Sequence, residues 1–318
     1  MKALLVSSPG ALSLQDIPIP ARAGECLIRV RFAGICGTDL QILEGYAGFT
    51  GVPGHEFVGT VDAAPDEHAA LVGKRVVGEI NAGCGICRWC RQGEKEHCIS
   101  RSVLGIRDRS GAFAEFLTLP AKNLHVVPEA VTDEQAVFVE PVAAACRIFE
   151  QITLDPAARV AVIGDGRMGL LVAQVIRTVA PNVTVIGRHR EKLEVAASLG
   201  LSTARSGASV QQSDRFDIVV DVTGRPSGLT TALAVVRPRG TVVLKSTFHG
   251  EAPVESWPIV VDEVTIVGSR CGPFAPAIAL LAAGAVKVDP LISLVAPLAE
   301  HRQAFAVARQ SLKVLLRI

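Results

Sequence analysis

The sequence predicts an α/β protein of two domains, one β-rich and the other a doubly wound parallel sheet with helices on both faces. Its length of 318 residues exceeds that of one average domain. Short strands with alternating polar and apolar residues fill the first third, whereas continuous apolar strands alternate with helical segments after Glu140. Strands that alternate with helices are typical of a parallel sheet covered on both faces.

The β-rich domain is predicted over residues 1–140 and 272–318. Polar and apolar side chains alternate over 26–33, and the same pattern returns over 57–61 and 75–80. Glycine or proline separates these runs, and both residues favour turns between short strands. We therefore expect a barrel-like arrangement of strands in this domain.

The parallel sheet is predicted over residues 141–271. A helix-favouring segment over 141–151 leads to a continuous apolar run over 159–163, which is typical of a buried parallel strand. A helix is expected over 170–176, and further strands over 183–186, 216–221 and 240–244. A helix over 275–283 and a terminal strand then return the chain to the first domain.

The composition excludes several classes of partner. The 32 basic and 31 acidic side chains leave a net charge of +1, which favours neither nucleic acid nor an anionic membrane. An aromatic content of 4% is low for stacking on single-stranded nucleic acid. Turn residues end the first apolar stretch at Ser7, and no run is long enough to span a bilayer. We expect a cytoplasmic protein, whose eight cysteines are metal ligands or core thiols rather than disulfides.

Four cysteines lie within fifteen positions, a spacing typical of a zinc site. Their thiolates can close a tetrahedral shell that leaves no position open for a substrate. Free or paired thiols, a [4Fe–4S] cluster and a zinc ribbon for nucleic acid are the alternatives. Basic residues interleave with the cysteines, but the balanced net charge disfavours the ribbon. We predict a structural zinc site at Cys84, Cys87, Cys90 and Cys98.

A second set of candidate ligands lies outside that loop and consists of Cys36, His55, Glu56 and Glu140. Zinc bound by sulfur, nitrogen and oxygen ligands, with one exchangeable position, is typical of a catalytic site. Each residue alone is a weak signal, because an isolated cysteine near a strand more often packs as a small apolar side chain.

A glycine-rich segment follows the apolar run over 159–163 and opens a helix. Gly164 permits the tight turn, Gly166 lets a pyrophosphate approach the backbone, and Gly169 allows close contact between helix and sheet. Arg167 and Met168 lie at the helix start, where backbone N–H groups bind phosphate. This segment predicts a dinucleotide-binding site.

Taken in order, these motifs resemble the zinc-containing medium-chain dehydrogenase/reductase family, especially its sorbitol, threonine and glucose dehydrogenase-like branch. The resemblance covers nearly the whole chain. It implies that the β-rich domain is GroES-like, that the second domain is a Rossmann fold, and that the protein is a homodimer or homotetramer. The matching segments are GICGTDL at 34–40, GHE at 54–56, the cysteine loop at 84–98, VEP at 139–141 and GDGRMG at 164–169.

The resemblance implies roles for the second set of ligands. Cys36, His55 and Glu56 would lie on or next to the catalytic zinc, and Glu140 would complete or support the ligand shell. Many alcohol dehydrogenases carry cysteine at the position of Glu140, whereas glutamate is typical of polyol and threonine dehydrogenases. Which of Glu56 and Glu140 contacts the metal stays open.

Other residues near the substrate are also implied by the resemblance. Asp39 would orient His55, and the Thr38 hydroxyl would carry the substrate's proton away, unless it is only a turn hydroxyl. Tyr46, Phe49 and residues near Phe248 are candidate pocket walls.

Segments of the second domain match family segments beside the cofactor. Thr223 follows a strand at its carboxyl end, and Lys245 and Ser246 border the nicotinamide in the family. Arg270 resembles an arginine that reaches toward substrate oxygens in the polyol branch.

The choice between NAD and NADP depends on the end of the second strand. In NAD-dependent family members an aspartate there binds the ribose 2′-hydroxyl. Gly187 holds that position here, and Arg188 and Arg190 offer guanidinium groups for a 2′-phosphate. NADP is therefore favoured over NAD, although both arginines also fit a solvated helix start.

The predicted function is a zinc-dependent oxidoreductase with two zinc ions per chain. It would transfer a hydride between a small, secondary alcohol or polyol and NADP(H) or NAD(H), giving a ketone or aldehyde. One alternative is a zinc-free, NADPH-dependent protein resembling quinone reductases, which metal analysis would identify. The other is a zinc-stabilised, non-enzymatic binding module, which would not bind a nicotinamide cofactor.

Overall fold

The computed structural model describes residues 1–207, 215–247, 251 and 253–318. The strands are Lys2–Ser8 (β1), Ala11–Asp16 (β2), Cys26–Ile35 (β3), Glu56–Ala63 (β4), Arg75–Gly78 (β5), Asn81–Ala82 (β6), Ser102–Val103 (β7), Phe116–Leu119 (β8), Leu124–Val126 (β9), Val160–Ile163 (β10), Val183–Gly187 (β11), Ser202–Arg205 (β12), Phe216–Asp221 (β13), Val236–Leu244 (β14), Thr265–Gly268 (β15), Ile292–Pro297 (β16) and Lys313–Arg317 (β17).

The α-helices among the described residues are Gly37–Leu43 (α1), Arg88–Arg91 (α2), Asp133–Ala136 (α3), Val139–Gln151 (α4), Arg167–Arg177 (α5), Arg190–Ser198 (α6), Ser227–Val235 (α7), Trp257–Val261 (α8), Phe274–Ala282 (α9) and His301–Ala308 (α10). None of them combines the length and the apolar character that crossing a bilayer requires.

The first of two compact units comprises Met1–Glu140 and Ile292–Ile318. Its main sheet has the strand order β16-β17-β3-β4-β5-β9, and β8 also pairs with β3. Alternate side chains of β3 are buried along much of the strand, as the pattern over 26–33 predicts. Antiparallel pairing places β17, β3 and β4 side by side, which positions the candidate metal ligands described below.

The second unit comprises Pro141–Leu291 and contains a six-stranded parallel sheet of order β12-β11-β10-β13-β14-β15. All four residues of β10 are buried, which explains the continuous apolar run over 159–163. The chain builds outward from β10 to β12 and then crosses to β13, so the strand order reverses between β10 and β13. In such sheets ligands bind beyond the carboxyl ends of the strands at this reversal. The predicted α/β class is confirmed.

The predicted boundary at residue 272 is corrected to 292. Helix α9 and the residues after it belong to the second unit. Gly272 lies so close to the Ala143 carbonyl that a side chain at 272 would overlap it. The Lys287 backbone exchanges two hydrogen bonds with the Gln174 side chain on α5, at 2.9 and 3.1 Å. The sequence over 275–318 indicates a helix and a terminal strand, but it does not indicate that the helix packs in the second unit.

Candidate active site

Three candidate metal ligands meet inside the first unit. The ligand atoms of Cys36, His55 and Glu56 all lie within 4.8 Å of one another. Cys36 directly follows β3 and Glu56 begins β4, and the antiparallel pairing of Gly34 with Glu56 brings these two strand ends together. Both His55 and Glu56 are buried. Sulfur, nitrogen and oxygen donors at such separation fit one zinc ion.

Asp39 holds the Cys36 and His55 segments in place. Its Oδ2 accepts the Cys36 N–H at 2.7 Å, and its Oδ1 accepts the Gly54 N–H at 3.2 Å. Oδ1 also lies 3.3 Å from Nδ1 of His55, which leaves the other ring nitrogen for a ligand. Burial lowers the pKa of His55, but Asp39 and Cys36 outweigh burial and raise it well above its ordinary value. A buried imidazole that attracts a proton so strongly also fits a metal cation.

Lys313 belongs to the same cluster, although the sequence analysis missed it. Its ammonium forms an ion pair with Glu56, and both side chains are buried. It also lies 5.6 Å from the centroid of the Phe138 ring. The available signal was a lysine at the start of β17, directly before an apolar run over 314–316, since a charged residue is rarely buried without a partner.

Burial of Lys313 has an electrostatic consequence. Desolvation lowers the pKa of its ammonium to about 8, while the charges of Cys36 and Asp39 act in the opposite direction. The Lys313 ammonium contacts Oε2 of Glu56. The other carboxylate oxygen, Oε1, remains for a metal.

The other residues predicted near the substrate are not in this group. Glu140 is half-buried at the start of α4 and is not among the three clustered ligands. Thr38 is half-buried on α1, two residues after Cys36. Phe49 lines a cavity of about 880 Å³ together with backbone and side chains of 106–110. Tyr46 is half-buried in a short turn, and Phe248 lies outside the described residues.

The four cysteines of the 84–98 loop also form one group, with their sulfur atoms within 4.8 Å of one another. All eight cysteines lie in the described residues, and none of them forms a disulfide. Backbone N–H groups of Ile86 and Cys87 lower the pKa of Cys84 to about 6. Burial and the neighbouring thiols raise the pKa of Cys90 to about 11, because further negative charge is unfavourable there without a cation. This donor set fits zinc.

The backbone around this cluster leaves no spare room. A side chain at position 83 would place its Cβ 2.7 Å from Sγ of Cys90 and 3.0 Å from Cβ of Lys95. The Cys84 N–H also donates to Sγ of Cys98 at 3.4 Å. Gly83 is therefore needed for the close approach of the chain to the sulfur atoms.

The glycine-rich loop of the second unit has the geometry of a dinucleotide site. Gly164 follows β10 with φ +124°, and a Cβ on Gly169 would overlap the carbonyl of Gly164. By contrast, a Cβ on Gly166 would meet nothing within 4 Å. Helix α5 starts at Arg167 without a side-chain cap, so its first N–H groups can bind a pyrophosphate. Met168 lies half-buried in the same turn.

A cavity of about 230 Å³ adjoins this loop at the ends of β10 and β11. Among its described lining residues, Asp165 is the acidic side chain, whereas Arg188, Lys192 and Arg225 are cationic. The remaining lining residues are Ile163, Gly164, Gly166, Ile186, Gly187, His189, Ser206, Val222, Thr223, Ser227 and Thr231. Five of these residues were predicted from the sequence, namely Gly164, Gly166, Gly187, Arg188 and Thr223, whereas Asp165, His189, Lys192 and Arg225 were not.

Arg190 does not line this cavity. Its side chain is 85% exposed, and its Nε lies 2.8 Å from Oε1 of Glu194 on the same helix. Lys192, two residues further along α6, lines the cavity instead, and the phosphate role of Arg190 stays a prediction. Arg190 and Lys192 belong to the same basic run, but they lie on different faces of α6 because side chains two positions apart in a helix point in different directions.

Three predicted residues that follow β13 and β14 are held by hydrogen bonds. The Ser246 hydroxyl accepts the Gly224 N–H at 2.9 Å, and the Thr223 N–H donates to Oδ1 of Asp221 at 2.9 Å. Nζ of Lys245 donates to the Ala144 carbonyl at 2.7 Å and to the Ser269 hydroxyl at 3.0 Å. The neighbouring Arg270 has an exposed side chain.

Two family models match the chain. The alcohol dehydrogenase GroES-like domain matches residues 22–129, and the zinc-binding dehydrogenase domain matches residues 168–283. The starvation-sensing protein RspB of Escherichia coli K12 is 33% identical over 310 residues, which is 92% of this chain and 91% of that protein. The chain belongs to the zinc-containing medium-chain dehydrogenase/reductase family.

Other members of this family have names that state an activity. The L-threonine 3-dehydrogenase of Legionella pneumophila strain Philadelphia 1 is 31% identical over 347 residues, 99% of either chain. The erythritol/L-threitol dehydrogenase of Mycolicibacterium smegmatis is 30% identical over 352 residues, 99% of this chain and 97% of that protein. The predicted enzyme class is confirmed, because a member of this family is an NAD(P)-dependent dehydrogenase of the alcohol dehydrogenase type.

Solved structures of the family share the fold over the whole chain. An alcohol dehydrogenase of Escherichia coli CFT073 in complex with NADH is 31% identical, has a TM-score of 0.92, and aligns over 100% of this chain and 99% of that one. A zinc-binding dehydrogenase of Sinorhizobium meliloti 1021 bound to NADP is 28% identical, with a TM-score of 0.90 and the same coverage. Zinc and a nicotinamide cofactor therefore belong to the family's reaction, and the fold alone does not decide between NAD and NADP.

Proposed function

We propose that this dehydrogenase binds one catalytic and one structural zinc ion and interconverts a small secondary alcohol or polyol with its ketone, using NADP(H). The catalytic site is carried by one observation, the meeting of the half-buried Cys36 thiol with the buried His55 imidazole and Glu56 carboxylate. Three protein ligands would leave the fourth position of a tetrahedral zinc ion open for the substrate.

The chain's own groups prepare this site for the oxidation of an alcohol. Cys36, His55 and Glu56 would hold the zinc ion, which would supply a Lewis acid for the alcohol oxygen, and the bound nicotinamide would supply the hydride acceptor. Asp39 keeps the imidazole oriented, and the Thr38 hydroxyl takes the alcohol's proton onward. Glu140 is an additional carboxylate for the metal rather than a member of the clustered set.

The four-cysteine group is the proposed structural site. Its four sulfur atoms lie within 4.8 Å of one another, and four thiolates would fill the tetrahedral shell of a zinc ion and leave no position for a substrate. The proposed ligands are Cys84, Cys87, Cys90 and Cys98.

The preference for NADP rests on the charge of the cavity next to Gly187. Three cations, Arg188, Lys192 and Arg225, face one carboxylate there. This excess of positive charge favours the additional 2′-phosphate of NADP over the hydroxyl of NAD. The N-terminus of α5 would bind the pyrophosphate that both cofactors share.

The substrate class is inferred from relatives. The names of two of them state L-threonine and erythritol or L-threitol as substrates, and each of these molecules carries an alcohol beside other polar groups. We infer a small alcohol or polyol for this chain, with Arg270 as a candidate contact to substrate oxygens. The homodimer or homotetramer and the cytoplasmic location stay predictions.

The decisive experiment compares Cys36→Ser with Cys90→Ser. Wild type is expected to contain about two zinc ions per chain and each variant about one. Cys36→Ser should lose most turnover across a panel of secondary alcohols and polyols, yet retain the fluorescence change of bound NADPH. Full turnover in Cys36→Ser, or a wild-type protein without zinc, would refute the proposal and favour a zinc-free reductase.

A further inference from the structure

Asp165 fills the space that a side chain at position 187 would need. Gly187 ends β11, and a Cβ built on it would lie 2.5 Å from both Cβ and Oδ2 of Asp165. Two non-bonded heavy atoms do not approach each other this closely in a folded chain. An acidic residue at 187, as NAD-dependent Rossmann folds have at this place, is therefore incompatible with the observed position of Asp165.

The Asp165 carboxylate is bonded to the turn after β11. Its Oδ2 accepts the N–H groups of Arg188 and His189 at 2.7 and 2.6 Å. Nδ1 of His189 lies 2.9 Å from Oδ1 and 3.1 Å from Oδ2. Asp165 is only 6% exposed. Burial raises the pKa of this carboxyl, but its hydrogen bonds with His189 and Arg188 lower it below the ordinary value, so the group is a carboxylate at neutral pH.

These bonds decide which groups remain for a ligand. The Asp165 oxygens accept hydrogen bonds from the turn after β11. They are therefore not available to the two hydroxyl groups of the cofactor's ribose. The side chain of His189 lines the cavity and is 54% exposed, and its Nδ1 is engaged by Asp165. Nε2 is then the ring nitrogen left for a ligand in the cavity that Arg188 also lines, and it donates to a phosphate oxygen when the ring is protonated on both nitrogens.

We propose that Asp165 is the positioning residue that selects NADP(H) over NAD(H), because it excludes an acid from position 187 and fixes the turn that presents Arg188 and His189 to the 2′-phosphate. This inference rests on the proposed function in one respect, namely that the cavity holds the adenosine end of a nicotinamide cofactor.

The charge of Asp165 does not overturn the preference for a phosphate. Its one negative charge is shared among two backbone N–H groups and an imidazole. Arg188, Lys192 and Arg225 line the same cavity with three positive charges. A dianionic phosphate therefore meets net positive charge, and charge-assisted hydrogen bonds from guanidinium groups are strong.

The test is a fluorescence titration of the zinc-loaded full chain with NADPH and, separately, with NADH. Asp165→Ala should raise the Kd of NADPH about tenfold, the loss expected for charge-assisted hydrogen bonds, and change that of NADH much less. Asp165→Gly combined with Gly187→Asp returns the acid to the end of β11 and should make NADH the tighter ligand. Asp155→Ala is the matched control, because Asp155 also accepts a backbone N–H, at 2.8 Å from Ala157, outside this cavity.

Each outcome bears on the proposal. If Asp165→Ala tightens NADPH, the carboxylate repels the phosphate and the proposal is wrong; equal weakening of both cofactors would reduce Asp165 to a general structural role and also overturn it. Should Asp165→Ala fail to fold, the half-exposed His189→Gln must weaken NADPH selectively, and an unchanged ratio would count against the proposal. A wild-type chain that binds neither cofactor would refute the proposed function itself.

Discussion

Lys313 and Glu56 form a buried ion pair across the backbone of Gly34. The strands β17, β3 and β4 lie side by side, with Val314 opposite Ile35 and Gly34 opposite Glu56. A Cβ on Gly34 would lie 2.6 Å from Oε2 of Glu56 and 2.7 Å from Cε of Lys313. The absence of a side chain at 34 is what lets the ammonium reach the carboxylate beside the candidate zinc ligands.

In the zinc-free chain, Lys313→Met should destabilise the first unit by about 3 kcal/mol, because removing one partner leaves the Glu56 carboxylate buried and unpaired. The free energy of unfolding would be measured by urea denaturation followed by tryptophan fluorescence. Adding Glu56→Gln to Lys313→Met removes both charges and should recover much of that loss.

The matched control is Arg190→Met, which removes an exposed partner of Glu194. This variant should change the free energy of unfolding by less than about 0.5 kcal/mol. If Lys313→Met is no less stable than this control, the buried ion pair contributes no more to the free energy of unfolding than an exposed pair does.

Gly34→Ala should remove the catalytic zinc and leave the structural one. The added methyl group forces the Glu56 carboxylate and the Lys313 side chain apart, and it leaves the 84–98 loop untouched. Zinc content is expected to fall from about two ions to about one per chain, measured by atomic emission after desalting.

Gly268→Ala is the control for this substitution, because an added Cβ there meets nothing within 4 Å. It should retain both ions. A Gly34→Ala protein with full zinc content and unchanged turnover would contradict this prediction, because the Glu56 and Lys313 side chains would then have moved aside without loss of the metal.

The sequence was sufficient where function depends on residues close together along the chain. Three features each lie within one short segment: the cysteine loop, the glycine-rich turn and the continuous apolar run of β10. Their residues were enough to predict the cysteine cluster, the turn before α5 and the buried strand. Cys36 and His55 were recognised from their motifs, and the pairing of β3 with β4 explains why they meet.

The sequence was insufficient where a contact depends on pairing between distant strands or on helical phase. Lys313 lies 257 positions from Glu56, and only the register of β17 on β3 brings them together. Arg190 and Lys192 belong to one basic run, but α6 turns the first toward solvent and the second toward the cavity. The close approach of Asp165 to the end of β11 likewise has no local signal.

Glu25 should make the stability of the first unit depend on acidic pH. Arg109 is buried and binds both oxygens of Glu25, at 2.6 and 2.8 Å. Burial raises the pKa of Glu25, but the hydrogen bonds and charge of Arg109 lower it below its ordinary value of 4.5. A lowered acid pKa adds stability that is complete above pH 4.5 and is lost as the pH falls through the folded-state pKa.

The expected result is that Glu25→Gln lowers the Tm by about 6 °C or more at pH 7. The difference from wild type should shrink as the pH falls below 4.5 and through the lowered folded-state pKa of Glu25. Asp62→Asn is the control, since the Arg29–Asp62 pair is exposed and should matter little at neutral or acidic pH. A difference for Glu25→Gln that stays constant from pH 7 to pH 3 would contradict the assignment.

Cys84 should be the first cysteine of the loop to react when zinc is removed. It is exposed, and backbone N–H groups lower its pKa to about 6, so it is a thiolate at neutral pH. Cys90, whose pKa is raised to about 11, should react last. Brief iodoacetamide labelling of the zinc-free chain from pH 5 to pH 9, with mass spectrometry, would give half-maximal labelling of Cys84 near pH 6, and zinc should protect all four thiols. Equal rates at every cysteine, with a common midpoint near the ordinary thiol pKa of 9.0, would mean that the four sulfur atoms do not form this cluster in the absence of metal.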